Sequence, residues 1–592
     1  MTGLASSGPE GDRPYAEAHT PVVWLAATTP AGTAELEAAG QPPHLARLLA
    51  RRGVRNAADA ERFLRPSPHD LHDPLLLGGM EQAVARLVTA RKRRQRIVIV
   101  GDYDVDGVSA TALLLAVFRA CGMDARPVLP HRLRDGYGFQ ELQVATAREL
   151  GASLIVTVDC GTGSAPAIRA ALASGIDVIV TDHHLPGADF PQEAIQINPR
   201  QLECGYPFAD LCGAGLALKL AQAVADAVGR RLELAPLLRI ACLGTIADLV
   251  PLVGENRAIA ALGLHALGRT RSPGLLALFE EAGLTPPLRA ADVGFRIGPR
   301  LNAVGRLASP DAALELLLSR EPERAAELAA SLGTWNSRRR DEERRVVAEA
   351  HELLAARQPR PGILVAWSEE WHRGVVGIAA GRIAAELHRP TILFAVEGES
   401  ATGSGRSIRD VALHAFLDRW RSELVRFGGH DFAVGLTART ADLDRLRQLW
   451  ENEARWPENV LVRTYEYELE PQPADVGRGL IGELLRLEPH GPGNPQPLVR
   501  VSSLRVEAAP RLFGGENEHL KVRARGTDGS SVWLLGWRWA SRWPELDGRT
   551  VDVLGHLEWD AFLATPVLRL VDCRPAAAVD EIAAAAPPTA GG

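Results

Sequence analysis

Residues 97–109 read IVIVGDYDVDGVS. Four apolar, β-branched residues run into a glycine, and aspartates follow at every second position: Asp102, Asp104 and Asp106. An apolar run of this length bounded by glycine reads as a buried strand. The acids then sit at its C-terminal end, where open α/β sheets keep their ligand sites. Three carboxylates this close repel one another unless a cation lies among them, and hard oxygen ligands suit Mg²⁺ or Mn²⁺. D-x-D-x-D-G also opens an EF-hand calcium loop, but that loop needs a Glu at its twelfth position and a helix before it. Here the twelfth residue from Asp102 is Leu113, and a strand pattern precedes.

Two more stretches repeat the design. Residues 154–161, LIVTVDCG, place Asp159 at the end of a second apolar strand. Residues 177–184, DVIVTDHH, place Asp182, His183 and His184 at the end of a third. Residues 240–252, IACLGTIADLVPL, hold Asp248 between apolar flanks. Any one of these aspartates alone reads as a helix cap or a turn. Three parallel strands of one sheet put such ends on the same edge, where the groups converge.

The length of 592 residues suggests about three to five domains. A charged fraction of 23% and a hydrophobic fraction of 46% are ordinary for a globular protein. The net charge of −7 argues against a protein that simply coats nucleic acid, and leaves room for a local basic channel. Six scattered cysteines with no C-x-x-C pair give no indication of a zinc ribbon and fit reduced, buried thiols. With no signal pattern and no apolar run long enough to span a membrane, the expected location is the cytoplasm.

Taken in order, residues 1–70 read as an N-terminal arm and helices, with PVVWLAA at 21–27 able to add a strand to a later domain. Arg51, Arg52 and Arg55 read there as a solvated helix face, with a phosphate contact as the alternative. Residues 71–270 alternate strand and helix patterns, the signature of a doubly wound parallel sheet. Within them, the loop HRLRDGYGF at 131–139 offers Arg132 and Arg134 to an anionic substrate. Residues 271–358 read as connecting helices. They open with VGFRIGPRLNAVGRLASP at 293–310, where glycines beside Arg296, Arg300, Arg306 and Asn302 suit a phosphate. Residues 359–457 form a second, smaller α/β unit with two glycine-rich loops, ATGSGRSI at 401–408 and FGGHDFAVGL at 427–436. Neither is a Walker A loop, and their Ser, Arg and His suit an anionic backbone. Residues 458–575 carry short alternating strands, VRTYEYELE among them, and read as an OB-like barrel. Of its tryptophans Trp533, Trp537, Trp539, Trp543 and Trp559, at least three are expected in the core or packed against a neighbouring domain, and exposed ones are candidates for stacking bases. Residues 576–592 read as a disordered tail.

GDYDVDG, VDCG, TDHH and ADLVPL, in this order, resemble the four phosphoesterase motifs of the DHH family. GPRLNAVGRL, WHRGVVGIAAGRI, GSGRSI, FGGHDFAVGL and LEPHGPGNP resemble its branch with a DHHA1 domain, the 5′→3′ exonucleases specific for single-stranded DNA. The resemblance covers residues 45–575. It implies a two-cation site for Mn²⁺ or Mg²⁺ held by Asp104, Asp106, Asp159, His183 and Asp248, with Asp159 as the bridge. Asp102, Asp182 and His184 complete the shell or touch substrate. A histidine that some relatives carry just upstream of the first motif is missing here. The resemblance also implies that Arg306 meets the scissile region, that Ser404 and Arg406 hold the 5′-terminal phosphate, and that His430 lies near the backbone path. It implies hydrolysis of single-stranded DNA to 5′-mononucleotides in recombination and repair, by a monomer working with single-strand-binding protein and a RecQ-type helicase. Two alternatives stay open: a DHH phosphodiesterase for short oligonucleotides or cyclic dinucleotides, and a non-catalytic nucleic-acid-binding factor.

Overall fold

The computed structural model describes residues 22–131, 138–187, 190–307, 309–355, 360–507, 510–560 and 564–576. Strand β1 (Val22–Ala26) and short helices lead into a five-stranded parallel sheet of β2 (Arg96–Gly101), β3 (Asp124–Val128), β4 (Leu154–Val158), β5 (Asp177–Thr181) and β6 (Ile195–Ile197). The strand order is β3-β2-β4-β5-β6. The register sets Ile97 opposite Leu154, Leu154 opposite Asp177 and Ile179 opposite Ile195. Side chains alternate across this sheet. Ile97, Ile99, Val156 and Ile179 pack into one core with α1 (Val105–Ala120), α2 (Gly213–Ala227) and α3 (Leu234–Ala247). Val98, Val100, Ile155 and Val178 pack into another, under the helices Glu141–Glu149 and Ala165–Ala173. Both faces are covered, which is why the strands read as unbroken β-branched runs. The order reverses between β2 and β4, so their C-terminal ends flank the crevice where doubly wound sheets bind ligands.

Further on come α4 (Gly254–Leu267), α5 (Gly298–Leu307) and the 34-residue α6 (Pro322–Ala355). Leu328 and Leu332 near the start of α6 join the first core, while Val346, Val347 and Leu354 near its end join a core of the second unit. One helix thus belongs to both halves, as its role of connector requires.

The second unit is a sheet ordered β10-β11-β9-β8-β7, made of β7 (Leu364–Ser368), β8 (Thr391–Glu397), β9 (Ser400–Arg406), β10 (Arg426–His430) and β11 (Ala433–Arg439), with α7 (Val376–Leu387) packed on it. The two stretches read as glycine-rich loops are strands here. β9 lies antiparallel between β8 and β11, and β10 and β11 form a hairpin. Glycine is used inside β9 for packing: a Cβ on Gly403 would sit 2.5 Å from the ring of Phe394.

The C-terminal unit contains β13 (Val499–Val506), β14 (Arg511–Phe513), β15 (His519–Arg525), β16 (Ser531–Gly536), β17 (Thr550–Asp560) and β18 (Thr565–Pro575). Pairings run β13-β17-β18-β16-β15, and Val506 opposite Ala524 returns β15 to β13, closing a five-stranded ring. VRTYEYELE is not part of the ring. Its strand β12 (Arg463–Tyr467) pairs in parallel with β1, Val22 opposite Arg463. Trp539 is buried and the other four tryptophans of this unit are half-buried. Two of those are covered by cations, Trp559 by Arg478 and Trp533 by Lys521. The helices of 43–64 pack Leu45, Leu48 and Leu49 into the barrel core.

Of the arginines of 51–55, Arg55 is exposed, but Arg51 and Arg52 are not a solvated face. The Arg52 side chain is 2% exposed and bonds Glu468 at 2.9 Å and Asn494 Oδ1 at 2.6 Å. Arg51 pairs with Glu466, and Arg55 bonds the carbonyls of Ala31 and Ala50. From the catalytic side, Arg257 on α4 stacks on Phe63 and donates to the carbonyls of Phe63 and Glu488. A second buried ion pair, Lys219 on α2 with Glu255 on α4, is completed by the Tyr206 hydroxyl, which donates to Glu255 at 2.7 Å, and by the Lys219 ammonium, which donates to the His72 carbonyl. Replacing Lys219 by Met would leave Glu255 as an unpaired buried charge. Lys219→Met is therefore expected to lower stability by about 3–5 kcal/mol, read as a shift in urea unfolding; a change under about 1 kcal/mol would contradict the pairing.

Candidate metal centre

The chain leaving β2 carries Asp102, then Asp104, which caps α1 by accepting the N–H groups of Asp106 at 2.9 Å and Gly107 at 3.1 Å. Asp106, in the first turn of α1, accepts the N–H groups of Gly213 at 2.6 Å and Ala214 at 2.8 Å, the first residues of α2. Asp159 follows β4 with φ 60, a left-handed conformation that strains any residue with a Cβ. Asp182, His183 and His184 follow β5. Asp248 ends helix α3, so this fourth group comes from a helix terminus and not from a sheet edge.

These groups converge. His183 Nε2 lies 3.0 Å from Asp159, 3.7 Å from Asp248 and 3.9 Å from Asp106. Three sets of candidate ligand atoms gather within 4.8 Å: Asp102 with Asp104 and Asp159; Asp106 with His183 and Asp248; and Asp159 with Asp182, His183 and His184. Asp159 and His183 each belong to two sets. The donor types, carboxylate oxygens with imidazole, match Mn²⁺ and Mg²⁺, and the sharing suits a pair of ions.

The electrostatics agree. Burial first, and then the charges of neighbouring carboxylates, push Asp106 up to about 6, Asp248 up to about 9 and Asp159 well above the usual carboxylate range. Alone, the cluster holds protons; divalent cations in their place would relieve both strains. Burial and the adjacent His184 charge push His183 down to about 3, leaving a neutral ring with a lone pair to donate. Burial also opposes a charge on His184, but the Asp182 carboxylate, 2.7 Å from its Nδ1, carries it up to about 9. Asp182 is itself held below the usual range against the effect of burial. Its Oδ1 also accepts the N–H groups of His183 and His184, and its Oδ2 that of Thr162.

Several contributors were not singled out in the sequence. A Cβ on Gly213 would lie 2.5 Å from Asp159 Cβ and 3.0 Å from Asp106 Oδ2. One on Gly244 would collide with the Asp106 carboxylate. Glycine at both places lets α2 and α3 close on the acids. The signal lay in LCGAGL and CLGT, small residues inside otherwise apolar helices. Asn302, which the sequence did single out beside the arginines of 296–306, accepts the Val105 N–H at 3.1 Å, bracing the start of α1.

The stretch at 293–310 is helical from Val293 to Leu307 and not an open loop. Residues 298–307 are α5, and Gly305 lets that helix approach the Tyr103 carbonyl. Arg296 donates to the carbonyls of Ala282 and Gly283, and Arg300 to that of Arg296. Arg306 falls in the last turn of α5; its side chain, like Arg132 and Arg134 entirely, lies outside the described residues. So do residues 577–592 of the expected tail. Ser404 and Arg406 sit on β9, on the other sheet. Their side chains lie against the start of α7, where a Cβ on Gly377 would be 3.1 Å from Ser404 Oγ and 3.2 Å from Arg406 Nη2. His430 is exposed at the end of β10.

Comparison with known proteins matches the description "DHH family, N-terminal domain" over residues 96–245, "DHHA1 domain" over 360–455 and "RecJ OB domain" over 467–571. The single-stranded-DNA-specific exonuclease RecJ of Salmonella typhimurium is 36% identical over 567 residues, 91% of this chain and 96% of the relative. RecJ of Bacillus subtilis is 36% identical over 490 residues, 82% of this chain but 61% of the relative, so the chain spans less than two thirds of that protein. RecJ of Thermus thermophilus, solved in complex with Mn²⁺, superposes with a TM-score of 0.80 at 32% identity, covering 94% of this chain and 80% of that one. Its Mg²⁺ complex gives 0.74 at 30% identity, with 94% and 78% covered. With three modules matched in order and relatives aligned almost end to end, the chain belongs to the RecJ family.

Proposed function

We propose that this protein is a divalent-cation-dependent 5′→3′ exonuclease that hydrolyses single-stranded DNA to 5′-mononucleotides. The observation that carries this reading is the overlap of three ligand sets on Asp159 and His183 at the switch point of the sheet. Asp104, Asp106, Asp159, His183 and Asp248, with Asp102 beside them, would hold the ions, and Asp159, shared by two ligand sets, would be the bridge. When bound, two Mn²⁺ or Mg²⁺ ions supply Lewis-acid activation of water and charge neutralisation at phosphorus. Asp182 reads as an orienting residue, because its oxygens are already taken by N–H donors around both histidines. His184, charged and with 37% of its side chain exposed, offers an N–H to a phosphate oxygen.

A site that reads only a sugar-phosphate chain has no sense of an end. In this reading Ser404 and Arg406, beside the start of α7, receive the 5′-terminal phosphate, where helix N–H groups favour an anion. His430 lies along the backbone path, and Arg132 and Arg306 are substrate contacts. The barrel and the N-terminal helices packed on it favour a long polymer over a dinucleotide, and a full set of ligands favours catalysis over binding alone. The enzyme acts as a cytoplasmic monomer in recombination and repair, on strands opened by a RecQ-type helicase and covered by single-strand-binding protein, which is where single strands with free 5′ ends arise. The domain limits 1–70, 71–270, 271–358, 359–457 and 458–575 are part of the same reading.

One digest of 5′- and 3′-labelled single strands tests the core of this. The 5′ label is expected to leave first as a mononucleotide, with activity abolished by chelator and restored by Mn²⁺ or Mg²⁺; release of the 3′ label first would reverse the polarity. Asp159→Ala is expected to leave under a few per cent of the rate while strand binding, followed by fluorescence anisotropy, persists. Arg406→Ala should lower turnover on 5′-phosphorylated strands more than on 5′-hydroxyl strands; equal losses would sink the end-recognition role. The raised acids also set a sign for pH. Below about 9 for Asp248 and about 6 for Asp106 protons compete with the cation. Mn²⁺ affinity is thus expected to weaken as pH falls and binding near neutrality to release protons; heats that do not change between buffers of different ionisation enthalpy would contradict this.

A further inference from the structure

The catalytic sheet has a further strand whose end is not absorbed by the reading above. β6 pairs in parallel with β5, so its C-terminal end lies beside Asp182, His183 and His184. The residues that follow β6 are Asn198, Pro199 and Arg200. Asn198 is fully buried and ties the two strand ends together. Its Nδ2 donates to the His184 carbonyl at 2.9 Å and to Thr162 Oγ1 at 3.1 Å, while its Oδ1 accepts the Arg200 N–H at 2.9 Å. The backbone of Arg200 is therefore fixed relative to the two histidines.

The guanidinium is poised rather than consumed. Among the described residues its one hydrogen bond runs from Nη2 to Asp210 Oδ1 at 3.1 Å, and its Nε is buried with no partner. An arginine carries five N–H donors in a planar fork, and a buried N–H left unmade is costly, so such a side chain suits an incoming anion. Held through Asn198 to the His184 carbonyl, the residue stands at the strand end next to the one that bears the two histidines. Among the described residues, the candidate ligand groups gathered at the metal centre are carboxylates and the two histidines. A guanidinium fork matches the paired oxygens of a phosphodiester in a way a compact ammonium does not.

We propose that Arg200 is a substrate-contacting residue of this centre, its guanidinium hydrogen-bonding a non-bridging oxygen of the phosphodiester brought to the Asp159–His183 cluster. This rests on the nuclease reading. It adds a positive contact to the scissile group from the fourth strand end of the sheet, opposite the acids of β2.

The test is steady-state hydrolysis of a 5′-phosphorylated oligothymidylate by the full chain and by Arg200→Ala, Arg200→Gln and Arg200→Lys, with thermal unfolding and a Mn²⁺ titration for each. Arg200→Ala and Arg200→Gln should lose about ten- to a hundredfold in kcat, with the Mn²⁺ concentration for half-activation unchanged. Millimolar guanidinium should restore part of the activity of Arg200→Ala and none to the wild type, a rescue that a scaffold role would not give. Arg200→Lys keeps the charge without the fork and should fall in between. Retention of more than half the wild-type kcat in Arg200→Ala, or in Arg200→Gln should the alanine variant fail to fold, would overturn the proposal. So would recovery by excess Mn²⁺ alone, which would place Arg200's effect on the ions, or a loss that guanidinium does not rescue. A wild type with no metal-dependent digestion would instead bring down the nuclease reading beneath it.

Discussion

Like charges buried together are the constraint the rest of the molecule serves. Asp106, Asp159 and Asp248 meet around one histidine, largely out of water. Two unit charges at 4 Å repel by about 4 kcal/mol at an effective dielectric near 20. The N–H groups at the start of α2, which grip Asp106, return about 0.3–1 kcal/mol for a helix terminus, or somewhat more when buried. That does not close the gap. Protons or divalent cations must, and the raised proton affinities of the three acids express the same imbalance. The left-handed backbone at Asp159 adds strain, tolerated because neighbouring strands fix it: its N–H is bonded to the Thr181 carbonyl.

Holding such a cluster takes more of the chain than the sheet that bears it. Asp248 ends α3, and the segment after it is clamped by a distant loop, with the Leu252 N–H bonded to the Pro492 carbonyl at 2.7 Å. That loop is gripped in turn by Asn494, whose side chain bonds the carbonyls of Leu487 and Pro489 and accepts from Arg52. The barrel side and the N-terminal helices are therefore physically continuous with the acid that α3 presents. Of the arginines that do this bracing, Arg52 reads in the sequence as a solvated face or a phosphate contact, and Arg257 drew no notice there.

Arg52 shows where sequence reading stops. The acids were legible because a strand's apolar run has a defined end, and parallel strands put their ends on one edge; Asp102 to Asp106, Asp159 and Asp182 to His184 follow from that rule. The connector α6 was legible from its length and mixed charges, and β1 from an apolar run inside a polar arm. Glycine and arginine were read less well. Gly305, Gly403 and Gly213 permit close packing of a carbonyl, a ring and a carboxylate, while Gly305 and Gly403 in one dimension look like part of a ligand site and Gly213 drew no notice. Arg296 and Arg300 cap carbonyls, Arg52 joins domains, and Arg200, which carries no motif, stands beside the metal centre.

What the sequence by itself determined was the doubly wound sheet, the set of acids and histidines at its edge, and the order of the modules, because these depend on local periodicity and on residue chemistry. What only the tertiary structure decided was which cation meets which carboxylate. It also decided that β12 leaves the barrel to pair with β1, and that Asp248 reaches the cluster from a helix end. Those facts depend on contacts between residues hundreds of positions apart, and no local pattern records which surface a side chain will face once the chain has closed on itself.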